Sequence, residues 1–211
     1  MSVTIQQIAP AEIEAESFRI IESEIGEHNF DNDSFAVVRR VIHATADFNF
    51  LDTIKFHPDA IERGIKAIQE GKDIITDVNM SAIGISKVLL SSFGGTVHCK
   101  VADPDIARQA KEEGKTRSEM AIETLLNENT GIIAIGNAPT ALIQVIRLLD
   151  KNPHLTPLVI GVPVGFVNAE ESKDLLAESK HCYITSLGRK GGSPVAAAMT
   201  NALLHLAKAR R

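Results

Sequence analysis

The residues best placed to do chemistry share one short stretch, Arg39-Arg40-Val41-Ile42-His43-Ala44-Thr45-Ala46-Asp47. Read as a helix, it sets Arg40, His43 and Asp47 at i, i+3 and i+7 along one face, away from a Phe35, Val38, Ile42 stripe. A carboxylate one turn on favours the imidazolium, whereas Arg39 and Arg40 oppose it, so His43 is poised to donate a proton near neutral pH. A surface histidine in a salt-bridged helix carries the same pattern. His28, His57, His154, His181 and His205 have no comparable surroundings and read as structural.

Three further stretches suit an anion. In Gly188-Arg189-Lys190-Gly191-Gly192-Ser193-Pro194, Gly191 and Gly192 let backbone approach a ligand, and Arg189 and Lys190 add positive charge. A helix starting at Ser193-Pro194 would turn free amides toward it. Gly136-Asn137-Ala138-Pro139-Thr140 offers two hydrogen-bonding side chains, Asn137 and Thr140, before another helix. Thr116-Arg117-Ser118-Glu119 is a capping box, so Arg117 sits at a helix start, where guanidinium and dipole act together. Each has a plainer reading: turn glycines, Asn137 ending a strand, Thr140 capping a helix, Arg117 as a solvated charge.

Other chemistries find no support. Gly114-Lys115-Thr116 resembles the end of a P-loop, but Gln109 stands where its first glycine belongs. There is no G-x-G-x-x-G, no G-x-S-x-G elbow and no H-E-x-x-H. The two cysteines, Cys99 and Cys182, cannot make a four-cysteine zinc site, and no metal is expected.

The elements that must position these groups follow from the hydrophobic rhythm. From residue 73 onward, short Val/Ile-rich runs at 74–78, 96–101, 132–135, 158–162 and 182–187 alternate with helical patterns. Five strands joined by helices imply an α/β protein with a five-stranded parallel sheet between two helical layers. Ligands in such sheets bind beyond the carboxyl ends of the strands, where the Gly136 and Gly188 stretches fall. Residues 1–72 read as a helical elaboration packed on the 73–211 core. Its helices are 10–26, one capped by Asp33, and one opened by Pro58 and ended by Gly71; 48–56 is extended. Asp103-Pro104 and Ser193-Pro194 pair a capping side chain with proline, and Asn168 with Glu171 is a weaker cap. The whole chain, 1–211, is expected to be one domain.

Composition narrows the partners. The net charge of −5 and the absence of tryptophan argue against nucleic acid. No window reaches 18 consecutive apolar residues, and the N-terminus MSVTIQQIAPAEIEAESF lacks a basic start before an apolar run. A cytoplasmic protein without a membrane partner is expected.

Arg40-Val41-Ile42-His43-Ala44-Thr45-Ala46-Asp47-Phe48, Gly136-Asn137-Ala138-Pro139-Thr140-Ala141-Leu142, Val164-Gly165-Phe166-Val167 with Glu171-Ser172-Lys173, and the Gly188–Pro194 loop together resemble the precorrin-8X methylmutase family. The enzyme is also called cobalt-precorrin-8 methylmutase. The resemblance spans about residues 10–207. Two departures are Asn168, where a small residue such as glycine is expected, and the lack of an aromatic before the first helix. The resemblance implies a flavodoxin-like fold and a homodimer with sites near the interface. It implies migration of a methyl group from C-11 to C-12 of a corrin precursor, turning precorrin-8X into hydrogenobyrinic acid or cobalt-precorrin-8 into cobyrinic acid, with His43 as the group that protonates or hydrogen-bonds a ring C nitrogen. An intramolecular rearrangement needs no cofactor. A carboxylate-fringed corrinoid needs anion sockets, for which Arg40, Arg117, Asn137, Thr140, Arg189, Lys190, Gly191, Gly192 and Ser193 are the candidates. Ser17 on the first helix reaches a partner's site across a dimer, or else bonds back to its own helix. Phe166 stacks on the ring, or else is core. A non-catalytic tetrapyrrole-binding module would keep Arg117 and the Gly188–Ser193 loop without needing His43.

Overall fold

The computed structural model describes residues 7–211. Met1–Gln6, the start of the segment read above for a leader, lie outside the described residues. A short 3-10 turn, Pro10–Glu12, leads into α1 (Ile13–Ile25), which Gly26 ends at φ 70°. Helix α2 (Asn32–Thr45) is capped by Asp31 and not by Asp33. The Asp31 carboxylate accepts the Asp33 and Ser34 amides at 3.0 Å each, while Asp33 lies in the first turn.

The 48–56 segment corrects the sequence reading. Phe50–Thr53 form a helical turn, α3, and only Ile54–Phe56 are extended, as β1. Phe50 and Ile54 stand four apart, a helical spacing, and both are buried in the cluster that includes α2. The elaboration therefore supplies a strand to the sheet, which has six strands among the described residues instead of five. The chain continues through α4 (Ala60–Gln69), β2 (Asp73–Thr76), α5 (Asn79–Gly84), α6 (Lys87–Ser91) and β3 (Val97–His98). Next come α7 (Pro104–Glu112), α8 (Arg117–Leu125), β4 (Thr130–Ile135), α9 (Pro139–Lys151) and β5 (Leu158–Gly161). It closes with α10 (Ala169–Glu178), β6 (Tyr183–Ser186) and α11 (Ser193–Ala209).

The strand order is β1-β6-β5-β4-β2-β3. All pairings are parallel except β1 with β6, where Ile54 faces Ser186 and Phe56 faces Ile184. Without β1, the parallel strands run in the flavodoxin-like order 2-1-3-4-5 expected from the resemblance. Side chains alternate across the sheet. Ile74, Ile132, Leu158, Ile160 and Ile184 join the core with α4 and α11, while Ile75, Ile133, Ile135 and Val159 join the core with α8, α9 and α10. Helix α11 is buried nearly all round because α2, α4 and α5 also pack against it.

Capping at the helix starts follows the sequence in part. Asp103 accepts the Asp105 amide, and both arms of the Thr116/Glu119 box are made. At α11 the cap is Gly192, with Ser193 already inside the helix. Asn168 stands before α10 with φ 59° and makes no side-chain cap bond. That left-handed backbone explains why glycine is expected there and why asparagine is accepted. Arg210, near the chain end, is not a free charge: it pairs with Glu62 at 2.6 Å and with Asp33.

Candidate functional site

The site builds from Asp77, directly after β2, where the chain must choose a side of the sheet. Asp77 is fully buried. Its carboxylate accepts the amides of Gly136, Asn137 and Ala138 at 3.0, 2.8 and 2.7 Å. Its backbone carbonyl accepts the Ser118 hydroxyl at 3.3 Å. Burial raises this carboxyl, and the three amides oppose the rise. One residue thus holds the β4–α9 loop and the start of α8 together, at the crevice where strand order reverses. Asn137 is exposed on that loop. Thr140 meets Thr116, the α8 cap, at 3.0 Å between hydroxyl oxygens. Arg117 is exposed beside them and makes no ion pair among the described residues. The sequence reading missed Asp77; its signal was an acid at the exit of a strand buried on both faces.

The β6–α11 loop lies against this group. An added Cβ on Gly136 would stand 2.7 Å from the Ser193 Cα and 2.8 Å from the Ser81 Oγ. Only glycine at 136 lets the start of α11 come that close. The Gly192 amide donates to the Val162 carbonyl at 2.8 Å, and a Cβ on Gly191 would run into the same carbonyl. Gly188 and Gly192 have φ of 76° and 123°. Gly191, Gly192 and Ser193 therefore form a tightly seated turn at the end of β5. Arg189 is exposed, 5.6 Å over the Phe166 ring and 3.8 Å from Glu170. Phe166 is 84% exposed and so is not core. Met80, Ile83, Val164 and Val167 are exposed apolar neighbours in chain on the loops and helices that follow β2 and β5.

His43 is exposed on α2 and sits edge-on to Phe18 of α1, ring centroids 5.2 Å apart. The expected carboxylate one turn on is not there. Helix α2 ends at Thr45, Ala46 takes a left-handed conformation (φ 53°), and Asp47 turns away. Asp47 instead accepts the Lys190 ammonium at 2.6 Å and the Asn49 amide at 3.0 Å. Lys190 also donates to the Asn49 Oδ1 at 2.7 Å. Lys190 is thus a latch between the glycine loop and the end of α2 as well as a charge at the edge. Its ammonium holds the Asp47 carboxyl below the usual range. The acid on the His43 side comes from α1: Glu14 pairs with Arg40 at 2.9 and 3.0 Å. Arg40 and Arg39 both stand over the Phe18 ring, at 4.9 and 4.2 Å, and Arg39 pairs with Glu22. The Ser17 hydroxyl donates to the Ile13 carbonyl at 2.8 Å, a bond back to its own helix.

The structure therefore brings Arg117, Asn137, Thr140, Arg189, Lys190, Gly191, Gly192 and Ser193 to one edge and ties the His43 helix to it. Ser17 and Arg40 sit on the α1–α2 face. Among the described residues, no group of His, Cys, Asp and Glu suits a metal ion, and no helix is long and apolar enough to cross a membrane. A cleft of about 820 Å³ opens at the opposite, amino edge of the strands, lined by Arg63, Lys66, Lys72, Glu70, Glu128 and His154 among others. Its cations are engaged: Arg63 bonds the Thr156 carbonyl, Lys72 the Glu128 carbonyl, and Lys66 pairs with Glu70. It lacks the glycine loops, so the carboxyl edge is the candidate site.

Comparisons with known proteins place the chain beside one family. A family model described as precorrin-8X methylmutase matches residues 12–206. A cobalt-precorrin-8 methylmutase of Salmonella typhimurium is 45% identical, the match covering 95% of this chain and 96% of that one. A precorrin-8X methylmutase of Pseudomonas aeruginosa is 37% identical over 89% and 91% of the two chains. A solved structure of a precorrin-8x methyl mutase from Thermus thermophilus superposes with a TM-score of 0.87 at 40% identity, covering 95% of this chain and 97% of that one.

Proposed function

The chain belongs to the precorrin-8X methylmutase family, and on that premise we propose that His43 is the proton donor for methyl migration at the carboxyl edge of the sheet. The enzyme is an isomerase that moves a methyl group from C-11 to C-12 of a corrin precursor. The observation that carries the histidine assignment is the Lys190–Asp47 contact, which joins the His43 helix to the glycine loop.

The rearrangement is balanced within the substrate. One carbon–carbon bond at C-11 breaks as another forms at C-12, and no atom enters or leaves. The protein must hold the ring and adjust its electrons. A proton or hydrogen bond from His43 to a ring C nitrogen draws density from the conjugated system and eases the shift. The imidazole is solvent-exposed and edge-on to Phe18, so it can exchange its proton with water between turnovers. The carboxylate fringe finds the Arg117 and Arg189 guanidiniums and the α11 N-terminus, where amides and charge act together. Phe166 and Val167, both exposed, offer an apolar face for the ring.

A homodimer completes this reading. Ile13 and Ile20 are 52% and 41% exposed on α1, the helix that also carries Ser17 and Phe18, whose ring meets His43. A second copy covering that stripe would shelter an otherwise open site. A cytoplasmic location belongs to the same reading. Both substrate forms are in scope; the relative at 45% identity is named for the cobalt form and the one at 37% for the metal-free form. The test is turnover of precorrin-8X and of cobalt-precorrin-8, followed by absorbance with unchanged product mass, in wild type and in His43→Ala. Activity lost in a folded variant that still binds product supports the donor role; retained activity removes it.

A further inference from the structure

Lys173 is fully buried in α10, under the β6–α11 loop. Its ammonium donates to the Lys190 backbone carbonyl at 2.7 Å, and that carbonyl also accepts the Ser186 hydroxyl at 3.1 Å. Packing alone does not call for a charge here, since an apolar side chain of similar volume fills such a space without desolvating an ammonium. Burial brings the group down to about 8, with Glu170 and Asp174 on its own helix opposing the fall. Glu170 faces Arg189 across the loop at 3.8 Å, so α10 grips two successive loop residues.

The Lys190 carbonyl is thus held from below, while the Lys190 side chain reaches Asp47 and Asn49 beyond the end of α2. Four groups form one path: the Lys173 ammonium, the Lys190 backbone, the Lys190 ammonium and the Asp47 carboxylate. From this geometry we propose that Lys173 is a positioning residue of the reaction, fixing the Lys190 backbone so that its side chain holds the His43 helix at a set distance from the anion-binding loop. The proposal rests on the reading of His43 given above. A ring seated by its carboxylates on the loop meets the imidazole only if helix and loop keep their spacing, and a displacement of about 1 Å is enough to cost about a hundredfold in rate.

The test compares wild type, Lys173→Met, Asp47→Asn and the double variant, with precorrin-8X and cobalt-precorrin-8 as substrates. Lys173→Met should fold, because the Lys190 carbonyl keeps the Ser186 hydroxyl; melting curves check this. The expected result is kcat lower by about tenfold with KM within about twofold, and a double variant no slower than the slower single one. Unchanged kcat in Lys173→Met, or losses that multiply in the double variant, would overturn the relay. If wild type turns over neither substrate, the activity reading fails instead. The relay is then judged by hydrogen exchange at the Gly192 amide, which must quicken in Lys173→Met; unchanged exchange overturns it.

Discussion

The Lys190 ammonium and the Asp47 carboxylate meet at 2.6 Å although 143 positions separate them in the chain. The contact joins the last turn before α11 to the exit of α2. It places the His43 helix and the glycine loop in one unit.

His43→Ala is expected to lower turnover by about a hundredfold or more while the fold persists. His43 is exposed, and its removal opens no cavity in the core. Absorbance-monitored turnover, beside circular dichroism of the same sample, checks this. Activity near wild type in a folded variant would discard the proton donor.

Asp77→Asn should destabilise the protein by about 1–3 kcal/mol, since its amide nitrogen would face backbone donors that now have a buried carboxylate to bond. The three amides of Gly136, Asn137 and Ala138 cannot all be served by one carbonyl-type oxygen. Urea unfolding measures the loss, and an unshifted midpoint would show that the loop holds its shape without this carboxylate.

Arg117→Ala is expected to weaken hydrogenobyrinic acid binding by roughly tenfold, the scale of one partly desolvated guanidinium–carboxylate contact. Arg210→Ala should leave that affinity unchanged, because its guanidinium is engaged by Glu62 and Asp33, away from the edge that holds Arg117. Titration of both variants at matched ionic strength decides between a socket and a diffuse charge effect. Equal affinities would return Arg117 to the solvent-exposed helix surface.

Gly191→Ala is expected to cost about 1–3 kcal/mol of stability or to force the loop off β5, because its Cβ would occupy the space of the Val162 carbonyl. Product affinity should fall with it. A variant that melts and binds like wild type would mean that the turn has room the packing here denies.

Lys173 carries a pH signature. Folded, its ammonium titrates at about 8, below the ordinary 10.5, so the unfolded chain binds more protons between those values. Stability attributable to this residue therefore rises as pH climbs from about 8 toward 10.5. The difference in unfolding free energy between wild type and Lys173→Met should move in favour of wild type across that window. A difference that stays flat would show that Lys173 ionises as freely in the fold as outside it.

Much of the architecture was written in local pattern. The Val/Ile runs at 132–135 and 158–162 became β4 and β5, and the Thr116/Glu119 box capped α8, because strand burial and helix capping depend on residues a few positions apart. The loops beyond β4 and β6 were legible for the same reason, and with them the placement of Asn137, Arg189 and Gly191 at the carboxyl edge of the sheet. Tertiary structure decided the rest. Whether Ile54–Phe56 joined the sheet depended on the free edge of β6, which no spacing within the segment describes. Asp47 looked like the partner of His43 on an unbroken helix, but the left-handed turn at Ala46 and a distant lysine took it elsewhere. Asp77 stands in no motif, and Lys173, though it lies in the Glu171-Ser172-Lys173 stretch of the resemblance, shows no role in its local pattern. Their importance lies in amides and a carbonyl brought from other strands and loops, and a buried charge acquires its partners only when the chain has closed around it.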